Sequence, residues 1–219
     1  GRCGEESTFA VTAYRSVGIA ARQVYTPRWA HCDDNHAWVE VFVDGEWHFL
    51  GACEPEEVLD TGWFSGPANR AILIHTRNFS DYVKESNEEY LGKEGALYYF
   101  NHTDFYGRTK LVKILVKDEN GKPAAGAHIA VEILNMAEFF PAAVMIADAD
   151  GEVRMTLGLG DIRVRAFDGI RRAEAMMRIE EEDSLELVLR EEAVPEADDR
   201  WQTCLLYTSP SPRDRQKSR

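Results

Sequence analysis

The amino-acid sequence predicts an α+β unit at the amino terminus, followed by an all-β sandwich. Residues 5–17 repeat apolar side chains at helical spacing, whereas from residue 110 apolar and polar residues alternate between turn clusters. The composition, with 44% hydrophobic and 29% charged residues, is that of an ordinary folded chain. We therefore expect four segments, at 1–75, 76–108, 109–190 and 191–219.

A helix followed by a hairpin is predicted in the first segment. The helix over 5–17 carries two glutamates in its first turn, where the helix dipole favours negative charge. A short strand at 22–26 is followed by strands at 36–43 and 46–50, which Asp44-Gly45 joins as a two-residue turn. The segment therefore predicts a helix packed on a small antiparallel sheet.

Directly opposed residues of that hairpin share one face of the sheet. In the register that the turn sets, His36 faces Cys53 and Trp38 faces Gly51. These four residues are therefore expected to point the same way.

The thiol of Cys3 stands at the start of the predicted helix. The unpaired amides and the dipole of a helix start favour thiolate over thiol. Arg2 adds a positive charge, and Gly4 leaves room for a substrate carbonyl. A nucleophilic cysteine needs a base, and His36, at the start of a strand, is the best candidate.

Four pieces of sequence carry a family resemblance, which covers residues 1 to about 54. They are Gly1-Arg2-Cys3-Gly4, Val17-Gly18-Ile19-Ala20-Ala21-Arg22, Asn35-His36-Ala37-Trp38-Val39-Glu40-Val41 and Gly45-Glu46-Trp47. In this order they resemble the transglutaminase-like cysteine enzyme superfamily. The resemblance implies a papain-like α+β core, here truncated at its amino terminus, and acyl transfer through a thioester on Cys3. Because the chain starts inside the motif, we expect it to be a fragment.

The sequence departs from this family at one position of the site. The resemblance implies an aspartate on the strand after Trp47, but Gly51 stands there and cannot orient an imidazole. Glu54 is the first candidate to replace it and Asp34 the second. Asn35 is chemically adequate as well, since an amide serves this role in papain-type sites.

The residues around Cys3 and His36 allow other interpretations. A zinc set of His31, Cys32, His36 and Cys53 lacks the usual paired spacing, so we expect neither a metal nor a cofactor. Trp38 and Trp29 are candidates for a substrate groove, with structural packing as an equal alternative. Cys32 and Cys53 could also form a disulfide.

The second half of the chain predicts β structure. Residues 76–108 show no sustained period beyond a short helix at 86–92. Strands are predicted at 110–117, 127–135, 142–147, 152–157, 161–167, 172–179 and 184–189. This module resembles carboxypeptidase-regulatory or Ig-like domains, which implies a spacer, or a binder of carbohydrate or protein, in a secreted or cell-envelope protein.

Charge and hydropathy exclude some classes of partner. The net charge of −13 disfavours nucleic acid as a partner, and no apolar run approaches the ~20 residues that span a bilayer. Residues 191–203 are acidic and expected to fray. Residues 204–219 resemble a translated sequencing adaptor and are excluded from the fold prediction.

Two functions follow from the sequence. The first is a thiol enzyme that acts on an amide or peptide bond of a peptide or protein substrate, by hydrolysis, which needs no second substrate site. The second is a degenerate binding or scaffolding module that keeps the fold without the chemistry.

Overall fold

The computed structural model describes residues 1–79 and 88–191. The helices are α1 (Cys3–Ser16), α2 (Ser65–Ala68) and α3 (Thr103–Tyr106). The strands are β1 (Ala21–Thr26), β2 (His36–Val43), β3 (Glu46–Leu50), β4 (His75–Phe79), β5 (Glu89–Glu94), β6 (Leu97–Asn101), β7 (Thr109–Lys117), β8 (His128–Asn135), β9 (Glu138–Ile146), β10 (Glu152–Gly158), β11 (Asp161–Asp168), β12 (Arg171–Arg178), β13 (Ser184–Val188) and β14 (Arg190–Glu191). The predicted adaptor-like tail and all but the first residue of the acidic segment lie outside the described residues.

The predicted papain-like α+β core is wrong, because the described chain is mostly β. Only α1 is longer than a single turn, and it packs on a six-stranded antiparallel sheet. Helices α2 and α3 have four residues each, and strands make up most of the remaining structure. Residues 89–92, predicted as helix, lie in β5. Within the described ranges no helix is long and apolar enough to cross a bilayer.

The six-stranded sheet runs in the order β3-β2-β1-β4-β6-β5. The hairpin of β2 and β3 has the predicted register, with Val39 opposite Leu50. Strands β4 to β6, in the segment left without a prediction of strands, extend the sheet beyond β1. We call residues 1–79 and 88–108 together the sheet unit.

The two faces of this sheet are covered differently. On the helix face, Val39 and Val41 pack with Val11 of α1. On the aromatic face, Trp38 packs with Phe64 and with other side chains from the segment after β3. Because neighbouring residues of a strand point to opposite faces, every side chain of β2 belongs to one face or the other.

The β-sandwich predicted after residue 109 is confirmed as a pair of facing sheets. One has the order β10-β7-β13, with β13 parallel to β7, and the other has the order β14-β12-β11-β8-β9. Their apolar side chains enclose one continuous core. The finer resemblance to Ig-like or carboxypeptidase-regulatory domains stays a prediction.

The segment from Ala71 to Ile74 joins the sheet unit to the sandwich. Ile72 and Leu73 belong to the sandwich core, whereas Ala71 and Ile74 belong to the core of the aromatic face. Gly158 of β10 donates its N–H to the carbonyl of Ile72 at 2.9 Å. A Cβ at position 158 would lie 1.9 Å from the Ala71 carbonyl oxygen, so this close approach requires glycine.

Candidate active site

Cys3 is the first residue of α1, and β1 holds this end of the helix in place. Its side chain is half-buried, and its carbonyl accepts a hydrogen bond from the Ser7 hydroxyl at 2.6 Å. Gln23 of β1 donates to the Gly4 carbonyl at 3.0 Å and to the Ser7 hydroxyl at 2.8 Å. The thiol therefore stands at an anchored helix start, the environment predicted from the sequence.

His36 is the first residue of β2 and lies on the aromatic face, among aromatic rings. Its ring centroid is 4.7 Å from that of Trp63, 5.1 Å from Phe64, 5.8 Å from Trp38 and 6.2 Å from Trp29. Its Nε2 is buried and has no hydrogen-bond partner in the described part of the chain.

Burial lowers the pKa of His36, and the charges of Glu54 and Asp34 act in the opposite direction. The net direction is downward. A lowered pKa keeps the imidazole neutral near pH 7, the form that can accept a proton.

Position 51 leaves no room for the aspartate that the family resemblance implies. Gly51 is buried, and a Cβ there would lie 2.8 Å from the Glu54 carbonyl oxygen. The missing carboxylate is visible in the sequence, whereas this backbone contact depends on the fold of the loop after β3.

The two predicted orienting residues, Glu54 and Asp34, act on His36 by charge, since both raise its pKa. The Glu54 carboxylate accepts a hydrogen bond from the indole nitrogen of Trp63. The Asp34 carboxylate accepts the N–H of Asn35 at 2.8 Å. Within the described part of the chain, neither carboxylate forms a hydrogen bond with His36, so both roles stay predictions.

Cys3 begins the helix that covers one face of the sheet, whereas His36 belongs to the other face. Helix α1 packs on the helix face, whereas His36 belongs to the aromatic face, and no hydrogen bond joins the two side chains within the described ranges. The segment with Cys53 and Glu54 neighbours both, since the charge of Cys3 acts on Cys53 and that of Glu54 acts on His36. This segment is thus a common neighbour of the two residues, and the pairing of Cys3 with His36 stays a prediction.

Cys53 is a neutral thiol beside the candidate nucleophile. Desolvation, a hydrogen bond to Glu6 and the negative charges of Glu6, Glu54 and Cys3 raise the pKa of Cys53 to about 12. Cys3, Cys32 and Cys53 are all free. The contrast in environment makes Cys53 an internal control for the reactivity of Cys3.

Trp29 and Trp38, the predicted substrate-lining residues, pack in the core. Their rings are parallel, with centroids 6.4 Å apart, and both are almost fully buried. The indole nitrogen of Trp38 donates to the Tyr106 hydroxyl at 2.8 Å. Asn135 of the sandwich donates to the carbonyls of Trp29 and Cys32 at 2.9 and 2.8 Å. These contacts are structural packing, and a role in binding substrate stays a prediction.

A buried polar network on the aromatic face was not predicted from the sequence. The fully buried Glu40 binds Arg22 Nε at 2.7 Å and the Tyr106 hydroxyl at 2.5 Å, and lies 3.2 Å from His102 Nε2. Arg22 also pairs with Glu88 at 2.6 Å. The alternation that places Glu40 on the same face as Trp38 was the signal available in the sequence.

The network keeps Glu40 ionised. Burial alone would raise the pKa of Glu40, but the hydrogen bond with His102 and the charge of Arg22 outweigh burial and lower it. Glu40 is therefore a charged member of the core that depends on its partners.

Comparison with known proteins gives a family match over the amino-terminal quarter of the chain. The family model described as the transglutaminase-like superfamily matches residues 1–52, a span that includes both Cys3 and His36. No curated protein matches the chain. Among solved structures, a streptococcal ancillary pilin is similar, with 10% identity, a TM-score of 0.31, and coverage of 84% of this chain and 66% of that chain. A similarity at that level carries no argument about fold or function.

Proposed function

We propose that the chain carries part of a transglutaminase-like thiol enzyme that hydrolyses amide or peptide bonds. Cys3 is the nucleophile and His36 its base. The observation that supports this most is the position of Cys3 at the anchored start of α1, inside the span that the family model matches.

The reaction follows from these two groups. His36 takes the thiol proton, and Cys3 sulfur attacks the carbonyl carbon of the amide. The C–N bond then breaks, His36 returns the proton to the leaving amine, and a thioester remains on Cys3. Water adds to the thioester carbonyl, the carboxylic acid leaves, and the thiol is regenerated. The backbone N–H of Cys3, unpaired at the helix start, is the natural donor to the oxyanion.

A second candidate is a binding module that has lost the chemistry. Two features around His36 favour it. Position 51 has no space for a side chain, and aromatic rings surround the imidazole. In this function Cys3 and His36 act as structural residues.

Site-resolved alkylation separates the two candidates. The full chain is treated with iodoacetamide across a range of pH values, and mass spectrometry follows each cysteine separately. For the enzyme we expect Cys3 to react at neutral pH faster than Cys32, whose pKa is raised by burial and by Asp34 and Asp33. The substitution His36→Ala should slow the labelling of Cys3 about tenfold or more.

The control is the substitution His48→Ala. His48 lies on β3 of the same hairpin, away from the candidate site, and its side chain pairs with Asp60. This substitution should leave the rate at Cys3 unchanged. Slow alkylation of Cys3 that His36→Ala does not alter would instead establish the binding module.

A further inference from the structure

A large groove in the described part of the chain is not lined by Cys3 or His36. It has a volume of about 760 Å³ and lies between the helix face of the sheet, where β4 to β6 extend beyond α1, and strand β9 of the sandwich. We call it the edge groove. Tyr25, His75, Arg77, Tyr99 and residues 90–94 of β5 line one side of it, with Glu94 bound to the Tyr99 hydroxyl, and residues 140–146 line the other.

One wall of the edge groove presents a cation that has no anionic partner among residues 1–79 and 88–191. The Arg77 guanidinium stacks on Tyr25 at 3.9 Å and lies 6.0 Å from the ring centroid of Tyr99. Its Nε is buried without a hydrogen-bond partner, and no ion pair of Arg77 occurs among the described residues. By contrast, Arg22 and Arg163 both pair with fully buried glutamates. An unpaired guanidinium held flat by aromatic rings is suited to a carboxylate, which it can bind in bidentate fashion.

The other wall presents the edge of a strand. β9 is the last strand of its sheet, so within the described ranges the outer edge of its backbone pairs with no strand. Val144 and Ile146, which line the groove, are 48% and 65% exposed. Pro141 has no N–H to donate, and the register of β9 against β8 shifts beside it, so the first half of β9 is a poor edge for another strand. Residues 143–146 are the part of the edge that can pair with an added strand.

We propose that the edge groove binds an extended peptide segment that carries a carboxylate side chain. The peptide adds to the edge of β9 through backbone hydrogen bonds, and its carboxylate pairs with Arg77. Extended peptides fit because both walls of the groove are β structure, and the unpaired charge of Arg77 selects an acidic residue.

The edge groove begins beside the start of α1. Arg77 is paired with Gln23, and Gln23 holds the carbonyl of Gly4, the residue after Cys3. A peptide in the groove therefore lies on the same face of the sheet as the helix that carries the thiol. Binding itself does not involve Cys3, so the test below is separate from the test of the reaction.

Selection from a displayed library of random heptapeptides tests the proposal on the full chain. We expect enrichment of sequences that contain Asp or Glu among β-branched residues and lack Pro. A selected peptide, labelled with fluorescein, should bind Arg77→Gln about tenfold or more weakly by anisotropy, and replacing its acidic residue with the amide should cost a similar factor.

Two further variants complete the test. Val144→Glu places a negative charge at an exposed position of the groove and should also weaken binding, without loss of fold by circular dichroism. Arg178→Gln removes an exposed charge of the sandwich and should leave binding unchanged. The proposal would be overturned if selection on the wild-type chain enriched no sequences beyond those selected on the Arg77→Gln protein. It would also be overturned if the enriched sequences contained no acidic residue. Concentration-dependent dimerisation lost in Arg77→Gln would overturn it too, in favour of a second copy of the chain.

Discussion

The sheet unit and the sandwich differ in what they bury. The sandwich encloses a continuous apolar core, to which Glu132 and Asn135 are the buried polar exceptions among the described residues. The sheet unit buries charged and polar groups on both faces, including Arg22, Glu40 and His75. Buried polar groups cost free energy unless they are paired, so they persist where pairing or function retains them. The comparison indicates that the sandwich depends on apolar packing, whereas the sheet unit depends on the pairing of its buried polar groups.

The largest expected effect tests this contrast on two buried glutamates. Glu40→Gln removes the charge that pairs with Arg22, which is itself 5% exposed, and should lower the free energy of unfolding by about 4 kcal/mol. Glu132→Gln in the sandwich should cost about 1 kcal/mol, because its partners Arg163 and Arg165 are partly exposed and can be hydrated. Urea unfolding measures both. Equal costs would show that the two units treat buried charge alike.

A second prediction concerns the junction between the units. Gly158→Ala would force a methyl group against the Ala71 carbonyl and should lower the free energy of unfolding by about 3 kcal/mol. Gly66→Ala is the matched control, since a Cβ there meets nothing within 4 Å. A neutral Gly158→Ala would mean that the two units separate easily.

Acid should weaken the sheet unit through a buried histidine. Burial and the nearby charge of Arg77 lower the pKa of His75 to about 3, below its ordinary value of 6.5. The unfolded chain therefore binds the proton first, and stability falls as the pH drops from about 6.5 toward 3. When the pH is lowered from 7 to 5, the free energy of unfolding should fall by about 2 kcal/mol less in His75→Gln than in the wild-type protein, as measured by urea unfolding. Comparing each protein with itself removes the pH-independent cost of the substitution, and identical pH slopes would contradict the prediction.

The smallest effect is expected at the contact between Asn135 and the loop that carries Trp29. Asn135→Ala removes two hydrogen bonds to carbonyls and should lower the free energy of unfolding by about 1.5 kcal/mol. Asn120→Ala, in an exposed turn, is the control and should be nearly neutral. If both variants behave alike, the sandwich does not hold that loop.

The strands of the sandwich could be predicted because apolar and polar residues alternate along each of them, as expected for a strand with one buried face. Strands β7, β10 and β11 lie within about a residue of their expected bounds. The sheet unit was harder. The hairpin of β2 and β3 has a strong turn signal, whereas β5 carries Gly92 at a register shift and has no clean alternation. The papain-like core was inferred from a resemblance that ends near residue 54, and beyond that point local pattern alone had to decide.

The candidate site shows the same limit. The sequence could indicate Cys3 and His36, because a helix start and a strand start are local features. It could not indicate that Trp63 lies over His36 and binds Glu54, since those contacts depend on the loop after β3. The partners of Glu40 come from β1 and α3, which are far from it in the chain.

The Ala71–Ile74 segment determines how this chain can be divided. Two of its residues complete the sandwich core and the other two complete the aromatic-face core, so one short segment contributes to both. A fragment cut after residue 75 would expose Ile72 and Leu73 to water, and a sandwich that starts at residue 109 would lack them. The two units should consequently melt in a single cooperative transition, and expression of either alone should yield an unstable or aggregating product.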